Sequence, residues 1–549
     1  MSLPVREQVE NPENLRETLL KTRPVMKSGY FDLLHSRDIW LFSTAIALAV
    51  AWPWVTEPAL GQPMTQDGPP VHFRLDRNYY TIETNARVRV ERRTQTGVLT
   101  VTLTLRNPGH KHGALISATH RIPAGERRDD IWPLDITPLE HGTHSLTLQV
   151  IDDRGNPYGP IELALTKHPP AEHEVKYDWD NNILVDGKPF FPIGYLGSSI
   201  KDVAFKKRQG FNCVVEWPFP SRWDEKDWLT DQLLAEARKA DLRVVLTGPF
   251  NRHGPAKWGW IDPATRITRA KRGAERYKTH PALLCYFTQD EPHYTPESHQ
   301  ELKTMYQEIR SRDPYYPVFV NHWWTGPDAR FTGVSDWVGK DLYPVYGGCF
   351  TQLEEHGQKA FDLMGNRKPF VFIPQAWSHP TSRHPSQLEL RHMVYLMVIH
   401  GAKAVLFYQS PPWPFFIRLN GELVRELDQI SPVLLSDFPE VIRPISEEKL
   451  DREIPASSIV MPLVYKYPKD RPMIAAAVWR NGHNVWVIAT NRQTSRVRAE
   501  LEVAELTGGC VRVLNEDRRI PLSQGRWTDE FGPIATHIYQ LRSEREDAE

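Results

Sequence analysis

Hydrophobic and polar positions fall into four successive patterns along this chain of 549 residues. The first is an uncharged run from Ile39 to Thr56, broken by Pro53. It is short for a spanning helix of about 20 residues. From Val71 to Thr166 apolar and polar residues alternate with period two in VHFRL, RVRVERR, VLTVTLTL, HSLTLQVID and IELALT. Asn107-Pro108-Gly109, Pro123-Ala124-Gly125 and Arg154-Gly155-Asn156-Pro157 separate these runs as turns. That pattern predicts an antiparallel, Ig-like β-sandwich over 70–168.

In the third stretch short apolar runs alternate with helical ones. Asp186-Gly187 in ILVDGKPFFP reads as a hairpin turn leading into it. Eight apolar runs follow, at 191–197, 211–217, 243–250, 283–292, 316–323, 335–344, 368–377 and 404–410. Their starts lie about 30 residues apart, the size of a βα unit. Between them, 227–240 has an amphipathic face, as do Leu302, Met305, Tyr306 and Ile309. Thr295-Pro296-Glu297 opens the latter helix with an N-cap, a proline and an acid. The pattern predicts a (β/α)8 TIM barrel over 175–438. A doubly wound sheet is the competing architecture, but no G-x-G-x-x-G or Walker A loop follows any strand. Period-two alternation returns in SIVMPLVYK, MIAAAVWR, HNVWVIATN, RVRAELEV, CVRVL and THIYQL. A small C-terminal β-sandwich over 440–545 is expected.

Residues 1–61 then read as a leader. Ala59-Leu60-Gly61 suits cleavage before Gln62, and a start at Met26 would place Lys27 and Arg37 ahead of the apolar run. The expectation is a signal peptide or membrane anchor. The protein would thus be exported to a periplasmic, extracellular or membrane-anchored location.

Charge adds a restriction. Lys plus Arg number 67 and Asp plus Glu 68, a net charge of −1, so bulk charge supplies no hold on nucleic acid or an anionic membrane. Cys213, Cys285, Cys349 and Cys510 form no C-x-x-C pair, which argues against a zinc knuckle or disulfide scaffold. His253, His293, His322 and His379 have no metal-ligand spacing. No cofactor or metal is expected, and G-x-S-x-G is missing.

In a (β/α)8 barrel the chemistry sits at the carboxyl ends of the strands. The polar residues there are Glu216, Asn251, Arg252, His253, Gln289, Asp290, Glu291, Asn321, His322, Asp341, Tyr343, Gln375 and Tyr408. Trp217, Trp258, Trp260, Trp323, Trp324, Trp377 and Trp413 join them. Carboxylates beside flat aromatic rings suit a sugar, whose C–H faces stack and whose hydroxyls need polar partners. Gln289, Asn321, His322, Trp323, Trp324, Tyr343, Gln375, Trp377 and Tyr408 are the candidate substrate contacts.

Over about 183–435 the chain resembles the clan A glycoside hydrolases, the cellulase-like and β-galactosidase-like group. The resemblance rests on ILVDGKPFFPIGY, Asp290-Glu291-Pro292, Asp341-Leu342-Tyr343-Pro344 and HGAKAVLFY. It implies hydrolysis of O-glycosidic bonds in an oligo- or polysaccharide, with Glu291 as general acid/base at the end of strand four. Thr295 already caps the following helix, so Asp290-Glu291-Pro292 is not needed for that. The family pattern also requires a nucleophilic Glu at the end of strand seven, where this chain has Gln375. Three readings stay open. Asp341 or Glu216 supplies the second carboxylate, or Asp290 polarises a substrate acetamido group, or the barrel binds glycans without cleaving them.

Overall fold

The computed structural model describes residues 71–92, 97–106, 116–124, 129–216, 223–250, 261–322, 329–347, 350–364, 368–378, 383–408, 414–451 and 471–542. The apolar run 39–56 and the Ala59-Leu60-Gly61 site lie outside them. Among the described residues no helix is long and apolar enough to cross a membrane.

Alternation builds the N-terminal sandwich. Strands Val71–Leu75, Asn85–Arg92 and Asp129–Asp135 form one sheet, and Leu99–Arg106, Ile116–Ile122, Gly142–Asp152 and Pro157–Lys167 form the other. Val88 and Val90 of the first sheet meet Val101, Leu103, Leu146 and Leu148 of the second in one buried core. The hairpin expected at Asp186-Gly187 joins Ile183–Val185 to Lys188–Phe190. Both turn residues have positive φ, 50° and 76°, the conformation a two-residue turn between twisted strands requires.

Eight parallel strands then close on themselves. They are β1 (Ile193–Ser198), β2 (Cys213–Glu216), β3 (Arg243–Leu246), β4 (Leu283–Asp290), β5 (Val318–His322), β6 (Trp337–Leu342), β7 (Phe370–Pro374) and β8 (Ala402–Tyr408). β1 pairs with β8 to complete the ring. The outer helices are α1 (Val203–Gln209), α2 (Trp223–Lys239), α3 (Pro263–Tyr277), α4 (Pro296–Arg312), α5 (Phe350–Met364), α6 (Gln387–Ile399) and α7 (Pro414–Leu434), with a 3-10 turn, Ala329–Val334, after β5. Each predicted apolar run coincides with one barrel strand, β1 running one residue past its run and β8 starting two residues before its own. Thr295 caps α4 by accepting from the Ser298 N–H, and Leu302, Met305 and Ile309 are buried.

The C-terminal sheet has nine strands and folds over a core that includes Val487, Leu501, Trp527 and Tyr539. Five predicted runs appear in it, and SIVMPLVYK lies outside the described residues. Glu440–Ile442, Ser446–Lys449, Arg518–Ser523 and Arg526–Phe531 were not expected. Their sequences are charged or carry Pro521, so alternation is hard to see. The last two are joined by Gln524 and Gly525, both at positive φ.

One buried ion cluster joins barrel and C-terminal sheet. Glu354 on α5 accepts from Arg492 Nε at 2.9 Å, and its carboxylate lies 3.0 Å from His400 Nε2 and 3.4 Å from Arg471. Burial alone would raise the Glu354 carboxyl. His400 and Arg492 instead hold it far below the usual range.

Candidate active site

Strand alternation decides which side chains reach the barrel axis. A Cβ on Gly339 would stand 2.5 Å from the Phe319 ring and 2.9 Å from Asn321 Oδ1. Only glycine fits that inward position. Asp341, two residues on, shares the inward face at the carboxyl end of β6. Lys340 lies on the opposite face, paired in register with His322 of β5.

β4 reaches the same place by an irregularity. Its register against β5 shifts between Phe287 and Gln289, which sets Asp290 opposite Asn321. The Asn321 side-chain amide donates to Asp290 Oδ1 at 2.8 Å, and the Asn321 carbonyl accepts from the Glu291 N–H at 3.0 Å. Gln289 Nε2 donates to the Asp290 carbonyl at 2.5 Å. Glu291 itself has φ 48°. A non-glycine residue in the left-handed region costs about 1–2 kcal/mol, and such strain gathers at functional sites.

The result sets Glu291 and Asp341 close enough at the barrel mouth for each to act on the other's carboxyl. Enclosure by the mouth raises the Glu291 carboxyl, the charges of Asp341 and Asp290 raise it further, and Lys340 opposes them. The Glu291 residue is nonetheless exposed. Solvent therefore reaches the carboxyl and tempers the enclosure, while the direction of the shift stands on the two neighbouring acids. Asp341 is buried and pushed up to about 6, by burial and then by Asp290. Hydrogen bonds with Glu291 and Tyr343, and the charge of Lys340, pull it back. Two close carboxyls cannot both ionise cheaply, so the pair holds one proton near neutrality. That proton belongs mainly to Glu291, because Asp341 has the more favourable partners for a negative charge.

Half-buried aromatic rings stand beside the pair. Tyr343 and Tyr408 stack with centroids 5.7 Å apart, and Trp377 packs edge-on against them at 5.4 and 6.1 Å. Asp290, Glu291 and Asp341 all act on the Tyr408 hydroxyl. Gln375 bridges to the Tyr408 backbone, and its Nε2 donates to the Trp377 carbonyl at 3.4 Å.

The structure thus brings together Gln289, Asp290, Glu291, Asn321, Asp341, Tyr343, Gln375, Trp377 and Tyr408. It does not bring Glu216 to them. Glu216 follows inward Val215 and turns outward, where Oε1 accepts from Thr230 of α2 at 2.5 Å. Its Oε2 accepts from the Thr247 and Gly248 N–H groups at 3.2 and 2.8 Å. Burial raises its carboxyl, and those donors oppose the rise. His322 also turns away. Its Nδ1 meets the Tyr294 hydroxyl at 3.1 Å, and burial followed by the Lys340 charge pushes it down to about 3, so it is neutral. Trp323 and Trp324 lie outside the described residues, as do Trp217, Asn251, Arg252, His253, Trp258, Trp260 and Trp413. Among the described residues no group of three or more His, Cys, Asp or Glu could hold a metal ion.

Lys340 is the residue that sequence reasoning missed. It is buried, and burial pushes it down to about 8 against the pull of Asp341 and Glu291. A lysine inside the apolar run SDWVGKDLYP, next to a candidate acid, was the available signal.

No protein-family model matches the chain, and no curated protein matches it in sequence. Several solved structures are similar in fold. A GH2 β-galacturonidase from Eisenbergiella tayi has a TM-score of 0.37 and 12% identity over 66% of this chain and 73% of its own. A β-glucuronidase from an uncultured Clostridium sp. has a TM-score of 0.36 and 12% identity over 65% and 69%. A putative β-galactosidase from Bacteroides fragilis has a TM-score of 0.34 and 9% identity over 84% and 73%. The expected multidomain architecture is present in this chain's own topology, a closed parallel (β/α)8 barrel with β-sheet domains before and after it.

Proposed function

We propose that the protein is an exported glycoside hydrolase in which Glu291 is the general acid and Asp341 the second carboxylate. The observation that carries this reading is the placement of Glu291 and Asp341 together at the carboxyl end of the barrel, each acting on the other's carboxyl. Cleavage of a glycosidic bond needs a proton delivered to a poor alkoxide leaving group and a carboxylate that meets the cation-like anomeric carbon. A protonated Glu291 beside an ionised Asp341 supplies both at neutral pH.

Inverting enzymes keep their carboxyls about 6.5–9.5 Å apart and retaining ones about 5–5.5 Å. The direct action of the two carboxyls on one another favours the retaining arrangement. Asp341 would then attack the anomeric carbon as the leaving oxygen takes the Glu291 proton. Water would later cleave the glycosyl ester with Glu291 as base. Tyr343, Tyr408 and Trp377 offer the stacking surface, and the Gln375 amide offers a partner for a sugar hydroxyl. Gln375 also favours a second reading, a glycan-binding barrel without turnover, because an amide cannot form a glycosyl ester.

The test is a panel of aryl and natural glycosides offered to wild type and Asp341→Asn. Turnover that falls about 10²–10⁴-fold in Asp341→Asn supports the reading. Binding of glycans with no turnover by wild type supports the second one. Export is tested by sequencing the N-terminus of the mature protein, which is expected to begin near Gln62.

A further inference from the structure

We propose that Arg266 of α3 is a positioning residue, which holds a bulge in β4 and through it sets Glu291 at the mouth. The inference rests on the glycosidase reading and concerns what fixes the acid of that reaction in place. In the register of β4 on β5, Phe287 pairs with Phe319 and Gln289 with Val320, so Thr288 is the extra residue. A bulge takes its extra residue out of the ladder and re-aims the strand beyond it. Here that segment is Asp290 and Glu291, the latter at φ 48°. A buried carbonyl that leaves the ladder needs another donor. The Arg266 guanidinium donates to the Thr288 carbonyl, and the Thr288 hydroxyl donates to the Phe319 carbonyl at 3.2 Å.

The guanidinium is itself held at two further points. Arg266 Nε donates to the Phe250 carbonyl, just beyond β3, at 2.7 Å, and Nη1 donates to Glu301 Oε1 of α4 at 2.9 Å. Arg266 and Glu301 are both buried. A buried ion pair does little for net stability, because desolvation offsets the attraction. A planar fork of donors does hold several acceptors in one fixed geometry, which a lysine ammonium does not. The acceptors joined here belong to the end of β3, the bulge of β4 and α4. Thr288 stands three residues before Glu291, so a bulge that shifts carries the Glu291 carboxyl with it. A misplacement of about 1 Å can cost about 10²-fold in rate.

The experiment uses two variants of the full chain. Arg266→Lys keeps a charge beside Glu301 but cannot span the three acceptors. The double variant Arg266→Met/Glu301→Leu leaves no lone buried charge, so it keeps the test open if the single one folds poorly. The quantity read is the ratio of kcat/KM on an unactivated alkyl glycoside to kcat/KM on the matching 2,4-dinitrophenyl glycoside, from one preparation, in which the folded fraction cancels. The expected result is a fall in that ratio of about tenfold or more, because a displaced Glu291 is missed only where the leaving group needs its proton. A residue that merely supports the fold lowers both substrates alike. An unchanged ratio would therefore overturn the inference and leave the glycosidase reading standing. If wild type turns over no glycoside, that reading fails instead, and hydrogen exchange over 286–292 decides the inference. Faster exchange there in Arg266→Lys, with β6 and β7 as protected as in wild type, supports it, and wild-type protection over 286–292 overturns it.

Discussion

Glu291, directly after β4, and Asp341, at the end of β6, stand together at the barrel mouth, and the Asp341 charge raises the Glu291 carboxyl. Asp341 is pushed up to about 6 and the neighbouring acids raise Glu291 above it, so the pair titrates in two separated steps. Turnover requires Asp341 ionised and Glu291 protonated. Activity is therefore expected to rise as pH passes about 6 and to fall only in the alkaline range, read from a kcat/KM profile. The folded state binds protons that the unfolded chain releases at ordinary carboxylate pH. The pair's contribution to stability thus shrinks as pH rises through 6. Asp341→Asn should melt no lower than wild type at pH 7.

Lys340 pulls the Asp341 carboxyl back toward its ordinary value. Lys340→Met removes that charge while keeping most of the buried volume. The acid limb of the profile should move upward by about half a pH unit or more. A limb that stays in place would show that Lys340 does not act on Asp341.

Glu216 and Asp341 were equal candidates on sequence, and their surroundings now separate them. Glu216→Gln should leave kcat/KM within about twofold and lower stability by about 1–3 kcal/mol, because Thr230, Thr247 and Gly248 all donate to the carboxylate. Kinetics and denaturant melts on the same preparation measure both.

That pair also illustrates how far the sequence could be read. Period-two and βα spacing located all eight barrel strands, and the strand-end rule picked out Glu291 and Asp341. The face on which a strand-end residue lies depends on local register. Glu216 sits one residue past inward Val215, and Asp290 and Glu291 reach the mouth only through the shift between Phe287 and Gln289. Nothing in the spacing of one strand reports such a shift. Lys340 was overlooked because a lysine in a strand reads as an exposed residue, whereas this one is buried behind an acid.

The Glu354 cluster should govern how the C-terminal sheet stays on the barrel. Glu354→Gln leaves Arg492 buried without its carboxylate, a change of the kind that costs about 3–5 kcal/mol. Denaturant unfolding followed by tryptophan fluorescence should show a lower midpoint. An unchanged midpoint would mean that apolar packing alone holds the two together.

The central claim, that Glu291 delivers the proton, is tested most directly by the dependence of Glu291→Gln on the leaving group. Against 2,4-dinitrophenyl glycosides, whose phenolate departs without protonation, the variant should keep kcat/KM within about tenfold of wild type. Against unactivated alkyl or natural glycosides it should fall by about 10²–10⁴. A Glu291→Gln protein as active as wild type on an unactivated glycoside would contradict the account.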